Sequence, residues 1–399
     1  MSVLFCHDHR FVRAPDGRIF STGQYDKSVV ARYEEIFGEV WIAGRDRMAA
    51  ADEDFSRLSL VLDGPERFVG VSDLSSIKGL LNGPGVAAPL LAPALEQVDA
   101  VIARLPSEIG LAALTLAQRR GMTSAVEVVA CVWDGLRGHG AKLASLYAPL
   151  ALSRMKRAVA RADHAIYVSQ EFLQKRYPPK PGAHVAGVSD VQLPEPDEAL
   201  LDARLDGIRK AGDAAPTLGM LAALFHRSKG VDIAMKALAE ARKTVPGLTM
   251  EVVGPGDVAP WLEEARALGL SDAVTFKGAL PRGEAVLKWL DTIDVYVQAS
   301  FQEGLPRGLI EAMSRAAPAL ASDAGGTAEL VDPAALHTPG DHGTLARQMA
   351  TALAPDDRIA AAQRNFRKAA EFASEKLDAR RRMFWNKVKE EADAGRLRG

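Results

Sequence analysis

At 399 residues the chain has the length of two domains, at about 100–200 residues each. Its 48% apolar and 25% charged content excludes wholesale disorder, and 49 Lys and Arg against 51 Asp and Glu lack the basic excess of a general nucleic-acid binder. The two cysteines, Cys6 and Cys131, lie far apart, each inside an apolar run, which excludes a disulfide scaffold and fits a reducing compartment.

Met1 to His7 shows no basic segment ahead of a long apolar core, and no stretch reaches about 18 uncharged apolar residues. A cytoplasmic protein without leader or membrane span is therefore expected. Val3–Cys6 and Val40–Ala43 read as short buried strands around a helix over Ser28–Phe37. A strand at Ser59–Leu62 and mixed pieces over Leu95–Ala103 follow. Gly110–Arg119 reads as a helix, Ala125–Trp133 as a β-like run, Leu146–Arg161 as a basic helix and Ala165–Ser169 as a strand. The prolines of Tyr177–Pro216 mark a linker. Strands at Thr217–Phe225, Leu248–Val253, Ala273–Lys277, Asp294–Ala299 and Ala319–Ser322 then alternate with helices at Asp232–Lys243, Pro260–Leu268, Gly283–Thr292 and Leu305–Ala316. The tail, Asp356–Ala394, reads as long and helical. Such alternation predicts α/β architecture: two doubly wound, Rossmann-like domains over 1–190 and 205–374, with ligands at the C-terminal strand ends.

The most informative segment runs from Ser300 to Met313. Glu303 closes a strand, Pro306 suits the first turn of the next helix, and Glu311 lies inside it. The free N–H groups of that turn suit a phosphate. Two carboxylates so placed accept hydrogen bonds from separate hydroxyls of one ligand. Glu303 and Glu311, within Glu-Gly-Leu-Pro…Leu-Ile-Glu-Ala-Met and followed by Ser322–Gly326 and Glu329–Val331, resemble the E-x7-E signature of retaining GT-B glycosyltransferases, in particular glycosyltransferase family 4. The resemblance implies that Glu303 contacts the donor sugar and Glu311 the nucleotide ribose. It implies that the N–H groups of Gly304 and Leu305 face the sugar and diphosphate, and that the last helix, about 375–399, crosses back to the first domain.

The loop Leu224–Asp232 holds two cations, as a diphosphate requires. Lys229 matches the family lysine; the family arginine falls on Leu224, and Arg227 is the expected substitute. Gly23, in the first strand-to-helix loop, matches a family glycine beside the donor phosphates. On the acceptor side, Asp8 and His9 are expected to end the first strand at the rim of the site. Asp134 is expected to contact the acceptor hydroxyl, with His139 five residues on. The segments around Trp133–Gly140 and Ala165–Pro178 resemble a polysaccharide-biosynthesis subgroup. Asp52-Glu53-Asp54 lies in a polar loop, and no metal is expected to be required.

Together these features predict a metal-independent hexosyltransferase using a nucleotide-diphosphate sugar and no other cofactor. Its acceptor is expected to be a saccharide, free or polyprenyl-linked. Arg154, Lys156, Arg157 and Arg161 would reach an anionic membrane surface. Two other readings stay open: a sugar-nucleotide 2-epimerase, and a catalytically silent donor-binding partner, which Leu224 favours.

Overall fold

A computed structural model describes residues 1–22, 25–72, 85–138, 142–211, 215–351 and 354–396. In chain order its strands are β1 (Ser2–Arg13), β2 (Ile19–Ser21), β3 (Glu39–Met48), β4 (Ser59–Leu62), β5 (Phe68–Val71), β6 (Ala100–Leu105), β7 (Thr123–Val128), β8 (His164–Tyr167) and β9 (His184–Gly187). These pair as β4-β2-β1-β6-β7-β8-β9, with β3 between β1 and β5. A second, parallel sheet orders β10 (Thr217–Leu221), β11 (Thr249–Val253), β12 (Val274–Gly278), β13 (Val295–Gln298), β14 (Ala319–Ser322) and β15 (Leu336–His337) as β12-β11-β10-β13-β14-β15. Helices cover these strands, which explains their continuous apolar runs: Val3–Cys6 and Val295–Val297 are buried. The architecture is α/β with two Rossmann-like sheets, the second parallel and the first parallel except for the antiparallel pairs β1–β2 and β2–β4.

The first strand is longer than its apolar run. Val3–Cys6 pairs with β6, but β1 continues to Arg13, where β2 replaces β6 as neighbour. From Cys6 opposite Ala43 to Arg10 opposite Arg45 there are four steps along β1 against two along β3. His7, Asp8 and His9 therefore form a bulge inside the strand rather than its end. Further along, β7 stops at Val128, and Val132–Gly138 is helical instead of β-like. The proline-rich stretch holds β9 and a helix, Glu198–Ala211. The tail is two helices, Pro355–Ala369 and Ser374–Arg396, separated by a 3₁₀ turn. The second packs on the N-terminal sheet: its buried Trp385 meets Tyr33 at 5.6 Å and Phe37 at 6.0 Å.

The sheets are joined closely. One apolar cluster runs from Val128 and Val168 into Leu305 and Leu309. Glu329 reaches from the C-terminal half to the start of the helix Phe172–Arg176. Its carboxylate accepts from the backbone N–H of Gln170 at 2.7 Å, Glu171 at 3.1 Å and Phe172 at 2.6 Å. A Cβ on Gly304 would lie 2.1 Å from the Val129 carbonyl oxygen, so only glycine lets the loop after Glu303 come this near the N-terminal half. The gap between the C-terminal strand ends of the two sheets holds the site.

Candidate active site

Two loops of the C-terminal half form one wall. From β10 the chain passes through a 3₁₀ turn, Arg227–Lys229, into the helix Val231–Ala241. From β13 it runs through Glu303 to Pro306, which caps the helix Arg307–Ser314 where a missing N–H costs nothing. Lys229 Nζ lies 2.6 Å from Glu303 Oε1. Beside this pair is a cavity of about 270 Å³, lined by His226, Lys229, Gln302 and Glu303 on one side and by Cys131 and Asp134 on the other. Gly326 N donates to Gly304 O at 2.8 Å, which ties the glycine turn after β14 to the same loop.

Glu311 lies one helical turn after Arg307, on the same face. Burial raises its carboxyl above the ordinary range, and Arg307 and Arg282 pull it back. Burial lowers Arg307, while Glu311 and Asp190 hold its charge. Asp190 belongs to the N-terminal half, so its charge acts on Arg307 across the gap. Burial raises the Asp190 carboxyl, but Arg104, hydrogen-bonded to it, together with Arg381 and Arg307 makes the net shift downward. Arg282 likewise acts on Asp26, the N-cap of the helix Lys27–Phe37.

The structure brings Glu303, Gly304, Lys229 and Asp134 to one cavity. Leu305 is buried beside it, and Glu311 follows on the adjoining helix. Gly23 and His139 lie outside the described residues. Three expectations need correction. Arg227 does not face the cavity. Its guanidinium pairs with Glu264 at 2.8 Å and Asp232 at 3.2 Å, and covers the Trp261 ring at 5.2 Å. Leu224 is a core residue packed with that tryptophan, so the turn ends in leucine for packing and Arg227 is drawn outward by two carboxylates. Asp8 is no rim contact: its carboxylate accepts from Ser107 Oγ at 2.7 Å, Glu108 N at 2.9 Å and Ile109 N at 3.0 Å, capping the helix Glu108–Arg119. Asp134 lies in the first turn of Val132–Gly138 rather than at a strand end, 3.5 Å from Arg176 Nη2.

Sequence reasoning missed Arg307, although its spacing to Glu311 is a helical signal. It also missed His226, Arg282 and Asp190, which only the tertiary fold brings to the gap. Glu53 is bound by Arg47 at 2.6 Å, and among the described residues no three His, Cys, Asp or Glu side chains gather as a metal site. Nor, among these residues, is any helix long and apolar enough to cross a membrane.

Residues 215–355 match the family model described as glycosyl transferases group 1. Protein CapJ of Staphylococcus aureus is 27% identical over 341 residues, 86% of this chain and 83% of CapJ. Among solved structures, sucrose-phosphate synthase of Thermosynechococcus elongatus superposes with a TM-score of 0.65 at 16% identity, over 98% of this chain and 100% of its own. Anabaena Alr3699/HepE in complex with UDP-glucose gives 0.60 at 18%, over 99% and 100%. The fold is GT-B. On that fold, residues 215–355 form a glycosyl transferases group 1 domain.

Proposed function

We propose that the chain transfers a hexose from a nucleotide-diphosphate sugar to a saccharide hydroxyl, with retention at the anomeric carbon. The observation that carries this reading is the Lys229–Glu303 pair, 2.6 Å apart, beside an open cavity at the head of the helix that bears Glu311. Glu303 would accept from hydroxyls of the donor sugar and Glu311 from the ribose. Lys229, with the N–H groups of Gly304 and Leu305, would neutralise the diphosphate as charge grows on it, so that no metal is needed. Asp134, across the cavity, would meet the incoming acceptor hydroxyl. No carboxylate is assigned as nucleophile: the acceptor attacks on the face the diphosphate leaves, and a donor phosphate oxygen takes the proton.

A role in polysaccharide biosynthesis on a lipid-linked acceptor at the inner membrane face fits one further surface. The helix Lys142–Val159 exposes Leu146 and Leu150, and Lys156, Arg157 and Arg161 are exposed at its far end. Arg154 is not part of that face, since it pairs with Glu108 at 2.6 Å and Tyr147 at 2.5 Å.

The test is thermal unfolding in EDTA with UDP-, GDP-, ADP- and TDP-sugars. A ligand at 100 times its Kd adds about 2.7 kcal/mol to the folded state, so one nucleotide should raise Tm by several degrees. Unchanged Tm with all of them at millimolar concentration would overturn the proposal.

A further inference from the structure

The bulge of β1 separates three polar side chains. Asp8 turns toward the helix it caps. His7 and His9 lie with their rings stacked, centroids 6.2 Å apart, and both face Tyr25, at 5.6 and 5.2 Å. Among the described residues, His7 Nδ1, His9 Nε2 and the Tyr25 hydroxyl are buried without a hydrogen-bond partner, and Tyr25 is only 8% exposed. A buried polar atom without a partner is costly, and three in one group of rings point to a ligand that supplies the bonds.

The charges around the rings define its chemistry. Burial lowers both imidazoles, and Arg104 and Arg45 lower them further; His9 is brought to about 4. Both are therefore uncharged at neutral pH, and each offers one donor and one acceptor, as the phenol does. Such a set matches alcohol hydroxyls, which donate and accept, better than a carboxylate or phosphate, which only accepts. The group lies on the N-terminal side close to the gap: Asp190, which acts on His7, acts on Arg307 of the opposite wall as well.

Resting on the glycosyltransferase reading, the structure assigns His7, His9 and Tyr25 as the subsite that binds hydroxyls of an uncharged acceptor sugar. They are binding residues, and the transferred bond forms farther along the gap, at Glu303 and Asp134. Saturation-transfer NMR tests this with the methyl α-glycosides of glucose, galactose and mannose, and with methyl glucuronide as the acidic control. The full chain is used, loaded with whichever of UDP, GDP, ADP or TDP calorimetry shows to bind. At least one neutral glycoside should bind, and Tyr25→Phe and His9→Phe, which keep the rings packed, should each weaken it by about 5-fold or more. Nucleotide affinity should stay at the wild-type value in both variants. Stronger binding of the glucuronide, or wild-type glycoside binding by both variants, overturns the assignment. If the nucleotide binds and no neutral glycoside does, the assignment alone falls. If no nucleotide binds the wild type, the transferase reading falls and takes the assignment with it.

Discussion

The two walls of the gap differ in the groups they offer a ligand. On the C-terminal wall the groups are charged and balanced: Lys229 pairs with Glu303, and the charges of Arg307 and Arg282 act on Glu311. On the N-terminal wall Asp190 and Asp134 are held by Arg104 and Arg176, while His7, His9 and Tyr25 are uncharged, with His7 Nδ1, His9 Nε2 and the Tyr25 hydroxyl unpartnered among the described residues. A diphosphate leaving group gains charge in the transition state, and fixed charges stabilise it without reorganising at the moment of reaction. An acceptor hydroxyl carries no charge when it binds and needs only hydrogen-bond partners. The contrast therefore separates three effects: loss of the Lys229 cation should act mainly on kcat, loss of Glu311 on nucleotide affinity, and damage to the second wall on acceptor affinity.

The largest effect is expected at Lys229. Its cation should matter more to the transition state than to the ground state, so Lys229→Ala should lower kcat by about 100-fold and change KM for the donor far less. Steady-state kinetics with the donor found by unfolding decides this, and a change confined to KM would break the contrast. Next is Glu311. Glu311→Ala leaves ribose hydroxyls unpaired in a half-closed site and should weaken nucleoside diphosphate binding by about 1–3 kcal/mol, read by calorimetry. An unchanged affinity would place the ribose elsewhere.

A smaller effect is expected where the walls are fastened together. Glu329→Ala removes a carboxylate that caps three N–H groups at the start of Phe172–Arg176 and should cost about 1 kcal/mol in urea denaturation. If stability is unchanged, the clasp does not couple the halves. The smallest effect is expected at Arg227, which is 61% exposed and bound by Glu264 and Asp232 away from the cavity. Arg227→Ala should keep kcat within about 2-fold of the wild type, since groups outside the site contribute little to transition-state binding. A loss near that of Lys229→Ala would mean that Arg227 leaves its carboxylates when donor binds, and the first wall would gain a cation.

Legibility in the sequence differed between the walls for the same physical reason. The central C-terminal strands β10, β13 and β14 are buried on both faces, so each reads as an apolar run between helices, and the strand bounds of this half fell within a few residues of the observed ones. Glu303 and Glu311 are near in sequence, and the helix after Pro306 fixes their relation. The N-terminal wall depends on pairing at long range. β1 stays a strand through His7–Arg10 because β3 continues beside it and β2 takes over from β6, which no local pattern announces. Asp8 looked like a rim residue because its capped helix begins about 100 residues later. Arg227 looked like a diphosphate cation because Glu264, which turns it away, comes from the next helix but one along the chain.

The account is tested most directly by the fate of the donor's anomeric proton. The nucleotide sugar that stabilises the fold, in its α form, is incubated in EDTA with the chain and the glycoside it binds, and followed by proton NMR. The proposed chemistry predicts nucleoside diphosphate release with an α-configured product forming first, slowed by about 100-fold in Lys229→Ala. A β-configured first product, an isomerised sugar nucleotide without diphosphate release, or an unchanged donor would contradict it.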